Sequence, residues 1–148
     1  MSRKLIILSD LGSLKAYCVT RDEITEEQRI DLLQGYDSLL GHDRISENLT
    51  DQAGRFPTGN GIGSGQMSHG DKHHLEQEIK NRIIRQLARD ISDIVSREQP
   101  DSWYFAANNE IDGKIIDALD PAVRQKLSKR VRSNLTKVRK EDLLNYFN

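Results

Sequence analysis

The sequence predicts an α/β fold in which helices pack on a mixed sheet of about five strands. Three observations support this fold class. Two short apolar runs, residues 4–9 and 102–107, have the length of buried strands, and residues 75–95 carry an amphipathic helical stripe. Strand signals come first and are followed by alternating helix and strand signals, which is typical of a mixed sheet. At 148 residues, the chain is predicted to form one domain, residues 1–148.

The N-terminal segment predicts an antiparallel hairpin that continues as a meander. Residues 4–9 form the first strand, and Asp10-Leu11-Gly12-Ser13 is a turn signal. Residues 14–20 alternate as a returning strand, with Cys18 on its apolar face. A third strand is predicted at 29–36, although the apolar residues there fit neither the period of a strand nor that of a helix cleanly. Asp10 is predicted to serve the turn, and the alternative is a catalytic carboxylate at the strand end.

Residues 41–72 predict a long, glycine-rich and flexible loop. The hydrophobic pattern disappears there, and glycines alternate with Asn60, Ile62 and Ser64. Such a segment cannot recover its ordering entropy through burial. Long loops in compact domains are often functional, so this one is a candidate site.

The C-terminal half predicts alternating helices and strands. The long helix stops before Pro100, and the buried strand 102–107 follows. Helices are predicted at 110–119 and at 121–127, the second with proline in its first turn. Residues 129–135 alternate as an edge strand would, and residues 141–147 predict a last short helix.

The charge of the chain is unevenly distributed, although its net value is only −1. Residues 122–140 contain no acid and eight cations, namely Arg124, Lys126, Lys129, Arg130, Arg132, Lys137, Arg139 and Lys140. A basic segment of this kind favours binding to phosphate, which makes RNA or a ribosome a candidate partner. The alternative is a solvated helix end beside an edge strand that positive charge protects from aggregation.

The sequence favours a cytoplasmic protein without a membrane span. No apolar run approaches the roughly 20 residues of a spanning helix, and the apolar stretch 5–8 is too short for a signal peptide. Cys18 is the only cysteine, so an internal disulfide is excluded.

Several motifs resemble those of the bacterial host attachment family. The run Ala107-Asn-Asn-Glu-Ile-Asp-Gly-Lys-Ile-Ile-Asp-Ala-Leu-Asp-Pro121 resembles its signature of an alanine-ended strand, a glycine within a leucine-rich helix and a Ser/Asp-Pro turn. Asn134-Leu135-Thr136 falls where the family has Asp-Leu-Thr, and Ser9-Asp10 falls where it has Ala-Asp. Gln66-Met67 lies where the family has an Arg-His-Ala-Met motif.

The family is related to the middle domain of eukaryotic- and archaeal-type release factors, so the resemblance implies a release-factor middle-domain-like fold. This chain departs from the family pattern at two places. Asn108 and Asn109 replace two prolines, and the last strand, often acidic in the family, carries Arg130 and Arg132.

The glycine-rich loop offers a weak candidate for catalysis. Gly63-Ser64-Gly65-Gln66 resembles the Gly-Gly-Gln tip of release factors, which places water at a peptidyl-tRNA ester. Gln66 would be the catalytic residue, but Ser64 stands where the tip has its first glycine, and a side chain there restricts the backbone. A linker without catalytic function is the alternative.

His69, Asp71, His73 and His74 form a dense cluster of side chains that suit zinc or a similar ion. Neighbouring helical residues point in different directions, and no cysteine lies nearby, so a metal site is not favoured over surface histidines. The Gly-Lys-Ser/Thr ending of a nucleotide-binding P-loop is absent, and no cofactor is predicted.

Three functions follow from these features. The first is a non-enzymatic binding module for RNA, a ribosome or a protein, acting through the basic segment. The second is an assembly subunit or adaptor that uses an edge strand, and the third is a hydrolase acting through the loop. The oligomeric state is left open.

Overall fold

The computed structural model describes residues 3–37 and 69–147, with the side chains of residues 69–71 outside this description. Five strands and four helices lie in the described ranges. In chain order they are β1 (Arg3–Asp10), β2 (Ser13–Arg21), β3 (Gln28–Asp37), α1 (His69–Glu98), β4 (Ser102–Ala106), α2 (Asp112–Asp117), α3 (Pro121–Gln125), β5 (Leu127–Val131) and α4 (Lys140–Tyr146).

The strands form one mixed sheet in the order β3-β2-β1-β4-β5. β1, β2 and β3 pair as an antiparallel meander, whereas β4 pairs parallel with β1, and β5 pairs parallel with β4. The central strand is β1, in which Leu5, Ile6, Ile7 and Leu8 are all fully buried. The predicted α/β class with a mixed five-stranded sheet is therefore confirmed.

The two faces of the sheet carry different helices. The core on one face combines β-strand residues such as Ile7 and Phe105 with α1, α2 and α3. The core on the opposite face combines Ile6, Leu8 and Tyr104 with α4 and the residues around it. We refer to these as the α1 face and the α4 face.

The long helix α1 forms because its apolar residues recur every three or four positions and meet the sheet. The buried members of this stripe are Ile79, Ile84, Leu87, Ala88, Ile91, Ile94 and Val95. The chain leaves the helix through Gln99, whose φ of 49° is left-handed, and Pro100 follows. Across the described ranges, no helix has both the length and the apolar character that crossing a membrane requires.

The third predicted strand is confirmed as β3, which lies at one edge of the sheet and is mostly exposed. Side-chain bonds fasten it to α1. The Tyr36 hydroxyl donates to Asp90 Oδ2 at 2.6 Å, and Arg97 Nη2 donates to Gln34 Oε1 at 2.8 Å. Burial and the neighbouring Asp90 carboxylate raise the pKa of Tyr36 above its ordinary value.

Three predicted boundaries are wrong. The last strand covers Leu127–Val131 instead of 129–135, because its partner β4 ends at Ala106, which pairs with Val131. The chain then turns, and Leu135 is buried in the core of the α4 face. Residues 69–72, assigned to the loop by the sequence, are helical, and the helix predicted at 110–119 covers only Asp112–Asp117.

Candidate functional site

The carboxyl ends of β1 and β4 mark the topological switch point of the sheet. β1 leads into β2 on one side, whereas β4 leads through α2 and α3 to β5 on the other side. Open α/β sheets bind ligands at this kind of edge. Two groups of polar side chains lie there, one on each face. The Asp10 cluster comprises Asp10, Ser13, Lys15, Asn134 and Thr136, and the Asp112 cluster comprises Asp112, Arg130 and Arg132.

The Asp10 carboxylate closes the turn between β1 and β2. The side chain continues the alternation of Ile6 and Leu8, which brings it to the α4 face, and it is 7% exposed. Its Oδ1 accepts the backbone N–H of Gly12 at 2.7 Å and the hydroxyl of Ser13 at 2.9 Å. These two bonds confirm the turn role predicted for Asp10.

The same carboxylate also holds the segment that follows β5. Its Oδ2 accepts the Asn134 amide at 3.3 Å and lies 3.2 Å from the Thr136 hydroxyl. Asn134 Oδ1 in turn accepts the backbone N–H of Thr136 at 3.0 Å. The ammonium of Lys15 donates to the Thr136 carbonyl at 2.6 Å. The Asp10 cluster thus joins the first turn of the protein to residues more than 120 positions later.

Two of the motifs behind the family resemblance meet at this point. Ser9-Asp10 and Asn134-Leu135-Thr136 lie far apart in the sequence, yet their polar side chains share one hydrogen-bonded cluster. Leu135, between the two polar residues, is buried in the core of the α4 face. The motif therefore alternates between polar groups that bind Asp10 and an apolar group that anchors the segment.

The Asp112 cluster lies on the α1 face. Arg130 pairs in register with Phe105, so its side chain leaves the sheet on that face. Asp112, at the start of α2, is only 2% exposed. Its Oδ2 lies 2.6 Å from Arg130 Nε and 3.6 Å from Arg132 Nε. One buried carboxylate therefore has two arginine partners.

Three of the predicted binding residues have structural roles. Arg124 donates to the carbonyls of Asp117 and Leu119 at the end of α2, and Lys126 donates to the carbonyl of Pro100 at 3.1 Å. Lys129 donates to the Phe147 carbonyl and lies 5.4 Å from the centre of the Tyr104 ring. These cations tie neighbouring segments of backbone together.

Apart from Arg130 in the Asp112 cluster, the remaining cations of the basic segment lie between the end of β5 and the first residue of α4. Arg139 pairs with Asp142 at 3.1 Å, but its side chain is 79% exposed. Lys137 and Lys140 are exposed and have no ion-pair partner within the described residues. Together with Arg132, they form what we call the exposed basic segment, residues 132–140.

Several predicted site residues are outside the described part of the chain. They are the loop Gly63, Ser64, Gly65 and Gln66, and the side chains of His69 and Asp71. His73 and His74 are exposed on α1, and His74 Nε2 lies 3.3 Å from Glu78 Oε1. Among residues that the structure describes, no group of histidine, cysteine and acid side chains could hold a metal ion.

The residue that sequence reasoning missed is Asp112. A signal for it was present in the sequence, because Asp112 is three and four positions before Ile115 and Ile116, which places it on the apolar face of the predicted helix. An acid within the apolar stripe of a helix requires a cation nearby, and the next basic strand supplies Arg130. Lys15, which is partly buried, was also missed, since a lysine at an alternating position of a strand carries no such signal.

The sequence was compared with protein families and with curated proteins. No curated protein matches it. The profile of a family described as "Protein required for attachment to host cells" matches residues 9–147. That match includes both clusters at the carboxyl edge and extends over nearly all of the 148 residues, so the chain belongs to this host-attachment family.

Proposed function

We propose that this member of the host-attachment family is a cytoplasmic, non-enzymatic module that binds RNA, as free RNA or on a ribosome. The observation that carries the proposal is the exposed basic segment. Arg132, Lys137, Arg139 and Lys140 lie close together between the end of β5 and the start of α4, and the stretch 122–140 contains no acid. Arg132 and Arg139 have acidic partners outside this stretch, whereas Lys137 and Lys140 have no ion-pair partner within the described residues.

The physical basis is attraction between clustered cations and the phosphate backbone. A protein that is nearly neutral overall binds a polyanion only if its positive charge is concentrated locally. Six of the eight cations in the basic segment have partners in the fold, namely Arg124, Lys126, Lys129, Arg130, Arg132 and Arg139, which leaves Lys137 and Lys140 available for a ligand within the described residues. The kinship with release-factor middle domains that we expect from the sequence motifs would agree with a ribosomal or RNA ligand.

Replacing Lys137 and Lys140 by glutamine tests this proposal without disturbing a described ion pair. We expect weaker binding to a fluorescein-labelled single-stranded RNA, measured by anisotropy over a range of salt concentrations. Loss of two phosphate contacts lowers the slope of log K against log salt by about 1.4, at about 0.7 per contact.

The matched control replaces Lys72 and Arg85 by glutamine, two exposed cations on α1. It changes the net charge equally but leaves the basic segment intact. Equal losses in both variants would mean that binding follows net charge alone. RNA binding that is absent from the wild-type protein, or unchanged in the Lys137 and Lys140 variant, contradicts the proposal.

A second candidate function, assembly with a protein partner or a second copy, is favoured by the outer edge of β3. Within the described ranges, β3 pairs only with β2, and it carries Leu32 at 57% exposure. Exposed strand edges are templates for pairing with another chain. A mass by light scattering that rises with concentration, and that Leu32→Lys returns to the monomer value, would support this function. A constant monomer mass and no protein partner captured by the wild type would contradict it.

A further inference from the structure

We propose that Arg130 and Arg132, held by the buried carboxylate of Asp112, form a binding site for one phosphate group of an RNA backbone. This inference rests on the proposed RNA-binding function and names a specific subsite for it. The site lies on the α1 face at the carboxyl end of β5.

The first argument is the imbalance of charge in the Asp112 cluster. A single carboxylate faces two guanidinium groups, at 2.6 Å from Arg130 and 3.6 Å from Arg132. One arginine suffices to neutralise a buried acid, and the second places two like charges around the same oxygen. A bound anion removes this excess of positive charge, so the arrangement favours a phosphate.

The second argument is the exposure of the three side chains. Asp112 is 2% exposed, whereas the side chains of Arg130 and Arg132 are 35% and 61% exposed. The negative charge is therefore hidden from solvent, and a ligand that approaches from solvent meets the two arginines. In an ordinary surface ion pair both charges are equally accessible, whereas here the positive charges are much more accessible than the negative charge.

The third argument concerns the hydrogen-bond donors that remain. Arg130 uses Nε for Asp112, and Arg132 also approaches the carboxylate through Nε. Within the described residues, the terminal Nη groups of both arginines have no hydrogen-bond acceptor. The planar guanidinium fork is suited to bidentate contact with phosphate oxygens, and fixing it through Nε reduces the entropy that a ligand must overcome.

The decisive variant replaces both Arg130 and Arg132 by lysine. It keeps the charge and removes the guanidinium fork. We expect its affinity for the labelled RNA to fall at least tenfold at constant salt. A matched variant, Arg85→Lys with Arg89→Lys, changes two exposed arginines of α1 outside the cluster and outside the exposed basic segment, and it is expected to stay within twofold of the wild type.

Asp112→Asn distinguishes attraction by net charge from binding by the two anchored arginines, because these mechanisms predict opposite changes in RNA affinity. It makes the protein more positive, so attraction by net charge alone predicts equal or tighter RNA binding. Loss of the anchor for the two arginines predicts weaker binding. Thermal unfolding of each variant identifies those that are not folded, and the lysine variant keeps the test decisive if Asp112→Asn is one of these.

Titration of the wild-type protein with inorganic phosphate, followed by NMR of the arginine Nε–H signals, separates a backbone phosphate from a free one. The proposal expects the signals of Arg130 and Arg132 to shift with RNA and to respond weakly to millimolar phosphate. If these signals shift with inorganic phosphate and the protein does not bind RNA, the proposal that the ligand is RNA is overturned. If the Lys137 and Lys140 variant loses RNA but the lysine variant of the cluster does not, the phosphate site is refuted and the proposed function stands.

Discussion

Asp10→Asn is expected to destabilise the protein because the NH₂ group of the new side chain would face another hydrogen-bond donor. The asparagine oxygen can keep the bonds to Gly12 and Ser13, which brings its NH₂ to the position of Oδ2. That NH₂ then lies about 3.3 Å from the donating amide of Asn134, so two donors face each other. The Thr136 hydroxyl can rotate to accept, but Asn134 cannot turn its oxygen without releasing the backbone N–H of Thr136.

The magnitude follows from the bond that is lost. A hydrogen bond to a charged acceptor contributes about 1.5–3 kcal/mol, and a buried donor without an acceptor costs about as much. Since Asn134 is exposed, water can bond its displaced amide, and we expect about 2 kcal/mol in the free energy of unfolding. For a chain of this length, that corresponds to a fall in Tm of about 5–10 °C.

Urea unfolding measures the loss, and amide hydrogen exchange locates it. In Asp10→Asn, the amides of Thr136 and Val138 are expected to lose protection, because both bonds belong to the turn that Asn134 begins. Asp93→Asn, at an exposed position of α1, is the matched control and is expected to change stability by less than about 0.5 kcal/mol. Equal urea midpoints for the two variants would refute the reasoning.

Two further perturbations probe other contacts. Arg130→Met leaves the Asp112 carboxylate buried with only Arg132 nearby, and we expect it to lower the free energy of unfolding by about 2–3 kcal/mol. Adding Asp112→Asn in a double variant should restore part of that loss. An unchanged urea midpoint for Arg130→Met would show that Arg130 does not compensate the charge of Asp112. The pKa of Tyr36 is raised by burial and by Asp90, so its contribution to stability is present below the unfolded pKa of about 10 and is lost as pH rises through the folded pKa. Tyr36→Phe should therefore unfold with a shallower loss of stability above pH 10 than the wild type, and parallel pH profiles from urea titrations would contradict this.

The sheet could be predicted from the sequence because its strands obey local rules. β1 and β4 are apolar runs of strand length, and the hairpin has its own turn residues. β3 was harder to predict, and a register shift explains why. Ala16 pairs with Gln34 and Tyr17 pairs with Leu32, so Leu33 is an extra residue that interrupts the alternation. A bulge of this kind removes the period that identifies a strand.

The candidate site could be predicted only in part, because its contacts are long-range. Sequence alone identified the basic segment, but it could not separate Lys126 and Lys129, which bond backbone carbonyls, from the exposed Lys137. That distinction depends on how the segment folds against β4 and α4. The pairing of Arg130 with Asp112 likewise depends on the parallel alignment of β4 and β5, for which the sequence contains no local signal.

The length of chain between the partners of the Asp10 cluster has a consequence for synthesis on the ribosome. Asp10 emerges early, but Asn134 and Thr136 are added 124 and 126 residues later. At translation rates of about 5–20 residues per second, the interval is about 6–25 s. Throughout that interval β1, which is buried on both faces in the finished fold, lacks α4, and until residues 102–106 are added it also lacks its parallel neighbour β4. The nascent N-terminal hairpin therefore exposes the apolar side chains of β1 on the α4 face throughout this interval, which makes it a natural client for a chaperone that acts during translation.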